Sequence, residues 1–321
     1  MPLRRSSALR AARILITLAV VAGVSYALYK QWNGVQQHRL EAHPRWGFVA
    51  LSGVVFLATY GLLIATWRAM LAAWNAYLGF WDAARIWCVS NLGRYVPGKV
   101  WQIVAMGKMA ADRQISPVAA AGSAILSTVV NIACGMTVAM ITGWRALQAA
   151  SRGNAALGAL VIAIVVAGLA LLPIVMPRLL RLYSRVTGST IAIEPPPLRA
   201  VVIAIVGNSV SWLLYGLAFR LLVVGVVGNA SGPFASYVAA YSSSYVLGYL
   251  ALVVPGGLGV RDGALVSALV ALDLMTYPQA LLVAVSSRLW LTILEIGPGL
   301  IFWFTLRRAA PTTRPLANGS T

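Results

Sequence analysis

The sequence predicts an all-α polytopic membrane protein, with about six transmembrane helices and two re-entrant or broken helical hairpins in an inverted repeat. Three observations carry that expectation. Apolar residues make up 60% of the 321 residues and charged residues only 10%, where a soluble domain carries roughly a quarter charged. Apolar runs long enough to cross about 30 Å of hydrocarbon recur along the chain, and the mean hydropathy is +0.81. Two short stretches, Val96-Pro97-Gly98-Lys99 and Val254-Pro255-Gly256-Gly257-Leu258-Gly259-Val260-Arg261-Asp262-Gly263, interrupt apolar helical sequence and bring charge to the break. In lipid no water satisfies freed backbone groups, so such breaks survive only where protein buries them or a cavity is lined by them.

Taken in order, the spans are expected near 13–30, 46–67, 117–144, 155–177, 200–224 and 279–306. The first follows Arg4, Arg5, Arg10 and Arg13 and begins like a signal peptide. Its apolar run is long and no small-residue cleavage site follows, so an uncleaved span is expected. Two further stretches, 81–110 and 234–275, are apolar but interrupted by the Pro-Gly breaks. Each is too short for two comfortable spans and too broken for one.

Basic residues set the orientation. With the N-terminus inside, fourteen Lys and Arg fall on inner segments (Arg4, Arg5, Arg10, Arg13, Arg68, Lys108, Arg113, Arg178, Arg181, Arg185, Arg199, Arg307, Arg308 and Arg314). Five fall outside: Lys30, Arg39, Arg45, Arg145 and Arg152. That asymmetry predicts both termini on the cytoplasmic side. The first hairpin then enters from the inside and the second from the outside. Residues 1–308 form one integral membrane domain, with repeats over about 46–144 and 200–306. In each, a long helix precedes the break and a Gly-rich short helix follows it, the arrangement an inverted repeat leaves behind. The loop at 178–199, with Glu194-Pro195-Pro196-Pro197, reads as an extended connector, and residues 309–321 as a disordered tail.

The formal charge of +18 does not point to nucleic acid, because the arginines cluster beside spanning segments; part of it suits anionic lipid head groups. Cys88 and Cys134 lie in apolar segments and read as small filler. There is no G-x-x-x-x-G-K-[ST], no H-E-x-x-H and no dinucleotide glycine spacing; His38 and His43 lack ligand spacing. Neither a catalytic set, a metal site nor a cofactor is expected.

Charged groups at membrane depth cost at least about 2.5–3.5 kcal/mol each, so they mark functional candidates. Arg85 and Arg220 suit a snorkelling position at the interface equally well. Arg94, Lys99 and Arg261 flank the breaks. Where a helix restarts after Pro97-Gly98 or Gly256-Gly257, free N–H groups and the positive helix end combine with these cations into an anion site, phosphate above all. Gly256, Gly257 and Gly259 would let backbone approach a ligand. A tight interhelical crossing is the competing account. Arg288 and Glu295, seven residues apart on one helix face, are candidates for an intramembrane charge pair or a coupling site, and Asp262 is placed to neutralise Arg261. Asn131, Asn208, Ser209, Ser211 and Ser242 to Ser244 read as helix-packing glue.

Asn91-Leu92-Gly93-Arg94-Tyr95-Val96-Pro97-Gly98-Lys99, paired with Pro255-Gly256-Gly257-Leu258-Gly259-Val260-Arg261-Asp262-Gly263, resembles the lysylphosphatidylglycerol synthase transmembrane-region family. This is the flippase-like domain of the bacterial multiple peptide resistance factor. The likeness runs from about residue 10 to 308. It implies a bacterial inner-membrane protein that moves lipids between leaflets, with Arg94, Pro97, Gly98 and Lys99 in the inner hairpin. Pro255, Gly256, Gly257, Gly259, Arg261 and Asp262 would lie in the outer one. Where Glu is commoner in that family, this chain has the shorter Asp262. No counterpart of the soluble aminoacyl-transferring domain is present, so a stand-alone member is expected. The function so implied is translocation of an anionic, phosphate-bearing lipid or lipid-linked intermediate. The alternatives are a membrane partner docking a glycosyltransferase or lipid synthase through Arg178, Arg181, Arg185 and Arg199, or an enzyme using Asp262 or Glu295 as acid or base.

Overall fold

The computed structural model describes residues 44–73, 75–95, 100–144, 198–251, 257 and 259–306. The expected spans near 13–30 and 155–177, the Pro-rich connector, the tail, His38 and His43 lie outside them. Eight α-helices and no strands occur among the described residues. They are α1 (Trp46–Ala72), α2 (Phe80–Asn91), α3 (Val100–Ala111), α4 (Pro117–Thr142), α5 (Leu198–Val227), α6 (Phe234–Leu250), α7 (Val260–Ala271) and α8 (Tyr277–Leu306), with a 3₁₀ turn at Leu92–Tyr95 after α2.

Four helices are long and apolar enough to cross a membrane: Trp46–Ala72, Gly122–Thr142, Leu198–Val227 and Tyr277–Phe304. At 1.5 Å per residue the 27 residues of α1 reach about 40 Å, more than a hydrocarbon core requires. Their outward side chains are apolar, among them Val54, Val206, Ile293 and Ile301, so both the buried and the outer faces are hydrophobic, as lipid contact demands. These features make the chain a membrane protein.

The helix ends follow from local chemistry. Ser116 caps α4 by accepting from the Ala119 N–H, and Pro117 fills the first turn, where its missing N–H costs nothing. Gln279 reaches back to accept from the Thr276 N–H (3.1 Å) at the head of α8. α6 follows Pro233, and α7 starts from Gly259, whose φ of +78° suits glycine.

The long helices α1 and α5 form the most extensive pair and run antiparallel. Ser52 Oγ donates to the Ala218 carbonyl (2.7 Å), Arg45 N donates to the Gly225 carbonyl (2.8 Å), and Gly207 lies against Thr66. Around this pair, α2 packs on α8 and α6 on α4, while α3 packs on α4 and α7 on α8. Each stretch the sequence marks as interrupted is a pair of short helices packed side by side: α2 with α3, and α6 with α7. Polar bonds tie the bundle internally. Trp67 Nε1 donates to Ser123 Oγ (3.0 Å), joining α1 to α4, and Trp212 Nε1 donates to the Asn131 carbonyl (2.9 Å), joining α5 to α4.

Candidate functional site

The residues expected at the first break are the less visible ones. Pro97, Gly98 and Lys99 lie outside the described residues, and of Arg94 only its place in the 3₁₀ turn is described. At the second break Pro255 and Gly256 also lie outside, but Gly257, Gly259, Arg261 and Asp262 are described.

Arg261 sits in the first turn of α7, 6% exposed. Two glycines bring it there. A Cβ on Gly248 of α6 would lie 2.6 Å from Arg261 Cβ, and one on Gly257 would lie 2.8 Å from the Gly248 carbonyl oxygen. Gly257 also has φ +66°. The returning chain therefore rides directly on the α6 backbone, a close approach that any side chain would prevent. The Arg261 guanidinium then lies over two rings of α6, 5.5 Å from the Tyr241 centroid and 5.0 Å from that of Tyr245. Both distances are within cation–π range.

Its polar edge is a different matter. Arg261 Nε and Nη2 are buried without a hydrogen-bond partner among the described residues. The buried carboxylates of Asp262 and Glu295 act on it electrostatically. The Asp262 carboxylate itself accepts from the Gly259 N–H at 3.3 Å and so serves as an N-terminal cap of α7. One of the helix-end donors expected for an anion is thus engaged by the protein's own acid. Arg288 and Glu295 are both buried on α8. Of the two interface candidates, Arg220 lies 5.9 Å from the Tyr237 ring. Arg85 borders a notch shared with Asp82, Asp112, Arg113 and Trp303.

Next to Arg261, across Tyr245, is a polar cavity of about 80 Å³ built from α1 to α6. Its aromatic wall is Tyr60, Trp87, Trp212, Tyr215, Tyr245 and Tyr249; its polar groups are Asn91, Gln102, Ser127, Thr128, Asn131 and Asn208. Three of these rings touch one another and a fourth behind them: Trp212 packs on Tyr215 (5.8 Å) and Tyr245 (5.4 Å), and Tyr215 on Tyr241 (6.0 Å). The amides pair across helices. Gln102 Nε2 donates to Asn91 Oδ1 and Asn131 Nδ2 to Asn208 Oδ1, each at 2.7 Å. Asn131 and Asn208 therefore act as the packing glue expected of them and also wall the cavity.

Tyr241, Tyr245 and Gly248 were not singled out in the sequence. Their i, i+4, i+7 spacing puts them on one face of α6, the face that meets α7. Among the described residues no three His, Cys, Asp or Glu side chains gather to hold a metal. Fold and site together define a helical membrane protein with an internal polar cavity beside a buried arginine. No family model matches the chain, and no curated protein does either.

Proposed function

We propose that this protein translocates an anionic, phosphate-bearing lipid or lipid-linked intermediate across the bacterial inner membrane, as a stand-alone member of the lysylphosphatidylglycerol synthase transmembrane-region family. The observation that carries the proposal is Arg261, buried with Nε and Nη2 unpartnered among the described residues and one ring away from a polar cavity. A guanidinium held this way is costly unless something completes its hydrogen bonds, and its planar fork matches a phosphate in bidentate fashion. Acyl chains would remain in the bilayer while the head group crosses through the interior.

The packing supports an inverted repeat. Exchanging α1 to α4 for α5 to α8 turns the α2–α8 contact into α6–α4, and the α3–α4 contact into α7–α8, and both partners occur. The antiparallel α1–α5 pair is what two inverted copies of one helix give where they meet. Such a scaffold allows alternating exposure by rocking one half against the other. Without a nucleotide-hydrolysis motif, a lipid gradient, downstream consumption or an ion gradient supplies the drive.

The test is leaflet exchange in vesicles reconstituted with the purified protein and labelled anionic phospholipids. Exchange above that of protein-free vesicles, lost in Arg261→Met, is expected. Rates equal to protein-free vesicles for every phosphate-bearing lipid tried would overturn the proposal.

A further inference from the structure

Resting on the translocation of a phosphate-bearing lipid, we propose that the cavity beside Tyr245 receives an uncharged glycosyl head group, with Arg261 serving the adjacent phosphate. The wall chemistry is the reason. Among the described residues no charged side chain lines the cavity; the polar groups there are amides, hydroxyls and two indoles, set among six aromatic residues. Sugar rings pair with such surfaces through their two aspects: C–H faces lie on aromatic rings, and hydroxyls act as donors and acceptors at once.

The hydrogen-bond inventory points the same way. Each interhelical amide pair uses one atom per partner, and Asn208 uses its Nδ2 on the Ala204 carbonyl (2.7 Å). Asn91 Nδ2, Gln102 Oε1 and Asn131 Oδ1 make no hydrogen bond to described residues. Asn91 is 6% exposed. The Trp87 Nε1 donor is buried and also unpartnered among the described residues. One donor and two acceptors thus remain on Asn91, Gln102 and Asn131 of the cavity wall, with the Trp87 donor buried behind it, a mixture that hydroxyls satisfy and a purely donating ammonium or purely accepting phosphate does not.

An aromatic wall also suits an ammonium group, so that rival has to be weighed. An ammonium cage gains from a carboxylate, and among the described residues none lines this cavity. Tyr245 is moreover already occupied by a guanidinium 5.0 Å from its centroid. A second cation on the same ring system would meet like charge in a region of weak screening. The neutral ligand carries neither penalty.

The experiment measures equilibrium binding of three labelled lipids to the full-length protein in detergent: a polyprenyl monophosphate hexose, the same polyprenyl monophosphate without the sugar, and lysyl-phosphatidylglycerol. The hexose lipid is expected to bind tighter than the sugar-free one by about tenfold, as one or two neutral hydrogen bonds give. Trp87→Phe keeps a ring and removes the donor, and should cost the hexose lipid about three- to tenfold while leaving the sugar-free lipid within about twofold. Gln102→Ala, at a half-buried position of α3, is the second variant and should show the same selectivity loss. Arg261→Met should weaken both phosphate lipids. Equal affinity with and without the sugar, or preference for the lysyl lipid, overturns the glycosyl assignment even if leaflet exchange is intact. Retained sugar selectivity in a protein that exchanges no lipid upholds the glycosyl site and rejects translocation alone.

Discussion

Gly248→Ala is the sharpest probe of how the second break is built. The added methyl would sit 2.6 Å from Arg261 Cβ, 3.3 Å from its Cα and 3.4 Å from its Cγ. Carbon pairs are comfortable at about 3.5–4.0 Å, so α6 and α7 must part by about 1 Å, and no rotamer relieves a clash between two Cβ atoms. Overpacking of this kind costs about 1–3 kcal/mol. Against it stands the helix propensity of alanine over glycine, about 1 kcal/mol in favour of the substitution. The clash wins or roughly balances, for a net loss of about 0–2 kcal/mol. The same displacement would carry the guanidinium from 5.0 and 5.5 Å toward the limit of about 6 Å at which ring contacts fade. A thermal-unfolding series in detergent checks this through a double-mutant cycle with Arg261→Gly, which removes the colliding atom. In that background Gly248→Ala should become neutral or stabilising, a coupling of about 1–3 kcal/mol. An identical effect of Gly248→Ala in both backgrounds would refute the proposed contact.

Two further substitutions bound the energetics of the bundle and its rim. Asn208→Ala removes the bond that joins α5 to Asn131 on α4; its cost should stay near the membrane average of about 0.6 kcal/mol, because the released Asn131 amide borders the cavity, and a loss above about 3 kcal/mol in an unfolding titration would contradict this. Arg113→Ala breaks the ion pair with Asp82, whose partners are 37% and 33% exposed. Solvent screening leaves such a pair about 0–1 kcal/mol, so its melting temperature should be nearly that of the parent, and a large drop would show a buried role.

The spans were legible because apolar length is a direct consequence of bilayer thickness. The expected 46–67, 117–144, 200–224 and 279–306 correspond to α1, α4, α5 and α8. The apolar run of 46–67 stops before Arg68, while helix α1 continues to Ala72. Arg68 Nε donates to the Leu78 carbonyl at 3.0 Å in the segment leading to α2, so the charge is satisfied without ending the helix. The separation of α6 from α7 was legible because proline and glycine between them disrupt helical hydrogen bonding whatever the tertiary context. Arg261 was legible because a cation amid apolar residues is conspicuous. Tyr241 and Tyr245 were not, since a tyrosine facing a core and one facing an arginine look alike in sequence. The cavity was invisible for a stronger reason: its walls run from Tyr60 to Tyr249 and converge from six helices, a juxtaposition that only packing defines.

The surroundings of Arg261 have a physical consequence for the proposed transport cycle. A bare guanidinium facing a phosphate in a dry interior would bind it too well to release, because weak screening magnifies the attraction. Arg261 instead shares its field with the Tyr241 and Tyr245 rings and with the carboxylates of Asp262 and Glu295, which temper the positive potential a ligand meets. A carrier needs that compromise: strong enough to draw a head group off the surface, weak enough to let it go on the far side. On this account neutralising Glu295 would tighten the hold on phosphate lipids while slowing their exchange, the opposite of what loss of a ligand contact produces. Affinity and exchange rate then move in contrary directions, a signature that simple damage to the fold does not give.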